Sequence, residues 1–297
     1  MSMFVPKGII PAMVTPTDKW GNLKEASLRK LTNYLIDGGV HGLFPVGSQG
    51  EFYALTPEVK KRAMEIVIEE TNGRVPVYVG TGAITTREAI ELAKMAKAAG
   101  ASAVSVLTPF FITPNDAELY NHYKLIAEAV PDLPILLYGN KDRTNVGLSP
   151  DLVAKLALIP NIVGMKDSSG DMTVTCEYIR RSSGPGFHVL MGRDTLIYSA
   201  LVHGGTGSIT ATANAAPKVV VEIYEAFVAG DLKRSLEAQY RLAPLRLAFG
   251  WGTFPVVIKE ALNLLGFDAG EAVLPVGPLA ENKREDLRKV LVEMGVL

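Results

Sequence analysis

The chain has 297 residues, 48% of them hydrophobic and 21% charged, with 30 basic against 31 acidic side chains. That length can bury a large core without disulfide staples, and the single cysteine, Cys176, leaves no internal disulfide and fits a reducing, cytoplasmic setting. The balanced charge without a basic stripe argues against nucleic acid, no uncharged apolar run of about 18 residues predicts a membrane span, and the opening residues carry no signal-peptide pattern.

Short apolar, β-branched runs recur along the chain at 8–14, 42–46, 75–80, 103–107, 135–138, 162–166, 188–191 and 207–209. They are apolar throughout, as strands buried on both faces should be. Amphipathic helical stretches lie between them, with stripes such as Leu28, Leu31, Leu35 and Ile36, or Ile90, Leu92, Ala93, Met95 and Ala96. Thr56-Pro57-Glu58 and Ser149-Pro150-Asp151 place a capping hydroxyl before a first-turn proline. Thr85-Thr86-Arg87-Glu88 has the form of a capping box. Gly38, Gly39, Gly100, Gly204 and Gly205 stand where helices should end. Strand and helix alternating eight times predict a closed parallel (β/α)8 TIM barrel over residues 1–230. After that the alternation stops. Stretches at 232–247, 255–265 and 281–294 predict a C-terminal extension of three helices within 231–297.

The four histidines, His41, His122, His188 and His203, are scattered, and neither a CxxC nor an HxxxH pair suggests a metal. Each reads as a structural or surface residue. In a barrel of this class the chemistry sits at the C-terminal ends of the strands. The residues found there are Gly47-Ser48-Gln49-Gly50-Glu51, Thr108-Pro109-Phe110-Phe111, Tyr138 with Arg143-Thr144, Lys166-Asp167-Ser168-Ser169-Gly170, and Ile209-Thr210.

Lys166 ends the apolar run Ile162-Val163-Gly164-Met165. Desolvation there disfavours the ammonium, and a neutral amine can attack a ketone to form an iminium, an electron sink for the adjacent carbon. The local sequence supports equally well a lysine that snorkels to solvent or pairs with Asp167. Tyr138 can carry protons for such chemistry or can be an ordinary aromatic of the barrel mouth. Gly47-Ser48-Gln49-Gly50 can be an anion-binding nest or a plain tight loop. Arg143 can grip a carboxylate bidentately or be a surface arginine in the polar loop Asn140-Lys141-Asp142.

Taken together, Gly8-Ile9-Ile10-Pro11-Ala12-Met13-Val14-Thr15-Pro16, Gly47-Ser48-Gln49-Gly50-Glu51, Val79-Gly80-Thr81-Gly82, Thr108-Pro109-Phe110-Phe111, Leu137-Tyr138, Gly164-Met165-Lys166-Asp167-Ser168 and Gly204-Gly205-Thr206-Gly207-Ser208-Ile209 make the chain resemble the dihydrodipicolinate synthase / N-acetylneuraminate lyase family of pyruvate-dependent class I aldolases and lyases. The resemblance runs over essentially the whole chain. It implies a Schiff-base lysine at Lys166, a proton-relaying phenol at Tyr138, and carboxylate-binding roles for Gly47, Ser48 and Gln49, with Ser48 also relaying protons. It further implies a backbone contact to pyruvate from Ile209 and an arginine for the second substrate's carboxylate at Arg143.

The resemblance also implies no cofactor and no metal, because the covalent imine serves as the electron sink. The partners it implies are pyruvate and a small aldehyde or 2-oxo acid, in a homotetramer built as a dimer of dimers. Phe111 stands where the family's synthases place a tyrosine lent across the dimer, and Gln49 where many members have Thr or Ser. The expected function is therefore a dihydrodipicolinate synthase-like condensation. The alternatives are a 2-keto-3-deoxy sugar-acid aldolase, a 2-oxo acid dehydratase or deaminase, or a pyruvate-binding regulator without catalysis.

Overall fold

The structure, a computed structural model, describes residues 4–182, 184 and 186–297. Two compact units divide the chain: Met1–Gly8 with Tyr78–Ile209, and Ile9–Val77 with Thr210–Leu297.

The first unit is built on parallel strands in the order β2 (Tyr78–Gly80), β3 (Ala103–Leu107), β4 (Ile135–Gly139), β5 (Ile162–Asp167), β6 (His188–Met191) and β7 (Gly207–Thr210). β1 (Gly8–Pro11) begins here, and the Gly8 amide donates to the Thr206 carbonyl at 2.9 Å. β3 and β6 match the predicted runs residue for residue, and β5 runs one residue further than expected, to Asp167. Nearly every strand residue is buried, as an all-apolar strand covered on both faces requires. Helices Thr86–Ala99, Asp116–Ala129, Pro150–Leu156, Met172–Ser182 and Ile197–Val202 separate the strands.

In the second unit the chain from Ile9 runs beside the segment 42–46. Phe44 donates to the Pro11 carbonyl and accepts from the Met13 amide, both at 2.9 Å, and Leu43 donates to the Pro76 carbonyl at 3.0 Å. The predicted strand 42–46 is therefore in place, but only as isolated bridges from Leu43 and Phe44. Pro45 has no N–H with which to continue a ladder, and Val46 leaves the extended region at φ 58°. The three expected C-terminal helices form at Leu232–Leu247, Val256–Leu264 and Glu281–Glu293. The fold class is the (β/α)8 barrel with a C-terminal helical extension.

The helix starts follow the sequence signals. Thr56, Thr85 and Ser149 accept from the amides of Val59, Glu88 and Leu152. The reciprocal capping box lies elsewhere: Asn115 accepts from the Ala117 and Glu118 amides, and Glu118 answers by accepting from the Asn115 amide at 2.8 Å.

One side chain organises the approach to β5. The Asn161 amide nitrogen reaches the carbonyls of Ala127, Val130 and Leu133 at 3.1, 3.0 and 3.4 Å, capping the end of the Asp116–Ala129 helix. Its own carbonyl accepts from Ile135 at 2.7 Å, which starts β4. Asn161→Ala removes the donor that these three carbonyls share, and chemical denaturation should show a loss of about 1–3 kcal/mol.

Candidate active site

β5 carries Lys166 between Met165 and Asp167, and its path depends on Gly164. A Cβ on Gly164 would lie 2.4 Å from the His188 carbonyl oxygen, so only glycine lets β5 approach β6 this closely. The pairing of β4 with β5 contains an irregularity. Ile135 opposes Ile162, but Leu136 opposes Gly164, so Val163 is an extra residue. The bulge advances β5 by one position and sets Tyr138 opposite Lys166.

Lys166 is 5% exposed and Tyr138 4%. The Lys166 Nζ lies 4.3 Å from the centroid of the Tyr138 ring, a cation–π distance for an ammonium and equally a close approach for an amine. Asn140 donates from Nδ2 to the Tyr138 hydroxyl at 3.1 Å and orients the phenol. Alternation along β5 sends Lys166 and Asp167 to opposite faces. The Asp167 carboxylate accepts from Thr175 Oγ1 at 2.5 Å and from the Ser169 amide at 2.9 Å.

Arg143 is exposed on a single helical turn, Lys141–Thr144, that follows β4. That turn is anchored from below. Thr108 Oγ1 donates to Thr144 Oγ1 at 2.9 Å, and Thr144 donates to the Val146 carbonyl at 3.0 Å. Arg193 ties the turn to the loop after β5, donating to the Ser168 carbonyl at 2.9 Å and pairing with Asp142. Ile209 is buried on β7. Phe111, in the loop after β3, is 93% exposed and holds φ 72°, an unusual backbone for a bulky residue.

Gly47, Ser48 and Gln49 belong to the second unit. They form a tight turn of 3-10 type over Ser48–Gly50, flanked by two non-glycine residues in the left-handed region, Val46 at φ 58° and Glu51 at φ 56°. A Cβ on Gly47 would meet the Phe44 ring at 2.8 Å, and one on Gly50 would meet Thr15 Oγ1 at 2.9 Å. The glycines are thus required by close packing. The amides of Gly50 and Glu51 turn inward to the carbonyls of Gly47 and Ser48. The Gln49 side chain is 3% exposed, and among the described residues neither its Oε1 nor its Nε2 has a partner. It lines a cavity of about 10 Å³ with Phe249, Phe254, Pro255, Val257 and Ile258, enough for one water to satisfy the amide.

Sequence reading assigned no role to Asn140, Thr144 or Arg193. An Asn two places after a strand-end tyrosine is a weak local signal, and the other two act through partners far along the chain.

A model of the dihydrodipicolinate synthetase family matches residues 5–294. The chain belongs to the dihydrodipicolinate synthetase family. It is 42% identical to the 4-hydroxy-tetrahydrodipicolinate synthase of Methanoculleus marisnigri, over 97% of this chain and 99% of that one. Among solved structures it is similar to the chloride-inhibited dihydrodipicolinate synthase of Acinetobacter baumannii complexed with pyruvate, at TM-score 0.94 and 38% identity, over 98% of this chain and 99% of that one. It is also similar to YagE, an E. coli prophage protein of the same family in complex with pyruvate, at TM-score 0.93 and 34% identity, over 98% and 99% of the two chains. The whole-chain resemblance read from the motifs is borne out, and the protein is a lyase or synthase of this family.

The histidines stand apart from this chemistry. His41 bridges the Ile9 amide and Glu225, and His203 bonds the Ser199 carbonyl. His122 bonds Thr86 Oγ1 at 2.9 Å, and burial pushes its pKa down to about 4. The unfolded chain takes up that proton near the ordinary histidine value of 6.5, before the folded chain does. Stability from neutral His122 is therefore full above pH 6.5 and declines as the pH falls toward 4. Denaturant titrations across that window should show the decline, and His122→Leu should flatten it.

Proposed function

We propose that the chain binds pyruvate as an imine on Lys166 and condenses it with, or releases it from, an aldehyde. The observation that carries this reading is a buried lysine nitrogen 4.3 Å from the ring of a buried tyrosine whose hydroxyl is oriented by Asn140. The Lys166 amine adds to the C2 carbonyl of pyruvate, and the carbinolamine loses water to give the iminium. Loss of a C3 proton yields the enamine, C3 attacks the aldehyde carbon, and water then returns to free the product from Lys166. Tyr138 moves protons at the carbinolamine oxygen and at the new alkoxide. The family resemblance assigns the pyruvate carboxylate to the turn at Gly47, Ser48 and Gln49, and a backbone contact to Ile209. The protonated imine supplies the electrophilic pull that a metal supplies in metal-dependent aldolases. The pyruvate complexes of the two similar structures support this substrate.

For the second substrate, Arg143 supports an aldehyde bearing a carboxylate, held bidentately from the anchored Lys141–Thr144 turn. A 2-keto-3-deoxy sugar-acid aldolase is the second reading. Gly50-Glu51-Phe52 supports it, and two departures weigh against strict synthase activity: Phe111 in place of the synthases' tyrosine, and Gln49 where many members have Thr or Ser. For assembly, the exposed Phe111 and Ile112 support contacts between copies, in line with a homotetramer working in the cytoplasm.

Borohydride added with pyruvate should leave a reduced adduct on the peptide containing Lys166, read by mass spectrometry. Lys166→Ala should give neither adduct nor turnover while keeping its fold. A folded parent protein without adduct overturns the reading. Tyr138→Phe should still be trapped but lose about a hundredfold or more in kcat. Arg143→Leu should raise KM for aspartate semialdehyde and leave the pyruvate adduct unchanged. If small sugar aldehydes are the better substrates and Arg143→Leu leaves them unaffected, the sugar-acid reading holds instead.

A further inference from the structure

Glu51 closes the Ser48–Gly50 turn in the left-handed region, a conformation that costs a non-glycine residue of order 1 kcal/mol or more. Its side chain is wholly buried, with 0% exposure. A carboxylate in that position is costly unless it is paired and hydrogen-bonded. Oε2 lies 2.5 Å from Lys259 Nζ, and Oε1 accepts from the Val273 amide at 2.8 Å. Lys259, 1% exposed on the Val256–Leu264 helix, also donates to Thr17 Oγ1 at 2.9 Å and to the Glu271 carbonyl at 2.7 Å. The ammonium therefore makes two hydrogen bonds besides its ion pair with Glu51. Three segments distant in sequence thus converge on the residue that ends the turn.

Stability alone does not account for such a pair. Apolar residues of the same volume commonly hold a core as well or better than a buried ion pair does. What the pair adds is direction, because its charged hydrogen bonds fix one carboxylate at defined distances. The turn needs that restraint, since Val46 and Glu51 hold strained backbone at its two ends. No step of the proposed chemistry uses either charge.

We propose that Glu51 and Lys259 are positioning residues, a buried pair of the C-terminal helices and the turn that holds Ser48 and Gln49 in the geometry that receives the carboxylate of the 2-oxo acid. The pair acts through the turn and not on the substrate. This rests on the reading above that the turn binds that carboxylate.

The test is the double variant Glu51→Gln with Lys259→Met, which removes both charges, keeps the volume and leaves an acceptor for Val273. Hydrogen exchange at Gly50, Glu51 and Ala54, whose amides donate to Gly47, Ser48 and Glu51, should quicken by about tenfold or more while the surrounding helices keep their protection. Pyruvate KM should rise by about tenfold, with kcat at saturating pyruvate changed by less than about threefold, since a loss confined to binding shows in KM. Unchanged exchange, or faster exchange with unchanged KM, overturns the proposal, as does a loss confined to kcat. If the double variant does not fold, Lys259→Arg keeps the charge on a differently shaped group and is read the same way. If the parent protein takes no pyruvate, the carboxylate reading falls on its own, and the exchange data still decide whether the pair pins the turn.

Discussion

The proposed chemistry hangs on one strand register. Lys166 and Tyr138 face each other because β5 carries one residue more than β4 between the start of their pairing and its end. Without the extra Val163, Tyr138 would stand opposite Met165, and the period of two along a strand would send Lys166 to the other face of the sheet. Gly164 belongs to the same arrangement. It follows the extra residue and lacks the Cβ that would strike the His188 carbonyl, so the bulged strand still pairs on its far side with β6. A defect in one ladder and a missing side chain in the next together bring an amine against a phenol in a place with almost no water.

Around that pair the polar groups are arranged in tiers. Asn140 orients the phenol, and the turn that begins at Asn140 is pinned by Thr144 and Thr108. Thr175 and Ser169 hold Asp167 on the opposite face of β5, which keeps its negative charge in its own hydrogen-bond network. The turn at Ser48 follows another logic. Its backbone is strained at both ends, and the restraint comes from a buried ion pair reaching in from the C-terminal helices. Strain of this kind persists only where the surroundings over-determine it, and the ion pair with its three hydrogen-bonding partners, Thr17, Glu271 and Val273, meets that condition.

The sequence displayed most of the fold because the strands are buried on both faces and therefore read as unbroken apolar runs. The runs at 103–107 and 188–191 were legible to the residue. The run at 42–46 misled in detail because Pro45 looks harmless in an apolar run yet removes a ladder donor. The capping box was misplaced for a related reason: Thr85 and Glu88 have the right spacing, but the reciprocal bond forms at Asn115 and Glu118. Lys166 and Tyr138 were legible as strand-end residues. The bulge that makes them opposite was not, since Val163 is apolar like its neighbours and nothing in its identity marks it as extra. Lys259 was invisible as well, because a lysine on an amphipathic helix reads as solvated and its burial depends on Glu51, on a distant turn.

The same distinction bears on the second substrate. Gln49 departs from the family's usual residue, yet its amide is buried against Phe249 and Phe254 with room for about one water. A side chain so enclosed shapes the turn it sits on more than it samples an incoming aldehyde. Arg143 is exposed, but its backbone is not loose. Thr144 fixes the turn beneath it, and Arg193 links the adjacent Asp142 to the Ser168 carbonyl, two residues beyond Lys166. Arg143 thus stands on a stem tied to the loop that follows β5. In the proposed reaction a carboxylate caught by Arg143 would be held in register with the imine. On the proposed reading, selection of the aldehyde then falls to the length and charge of its tail, and the imine chemistry at Lys166 is the same for every aldehyde that fits.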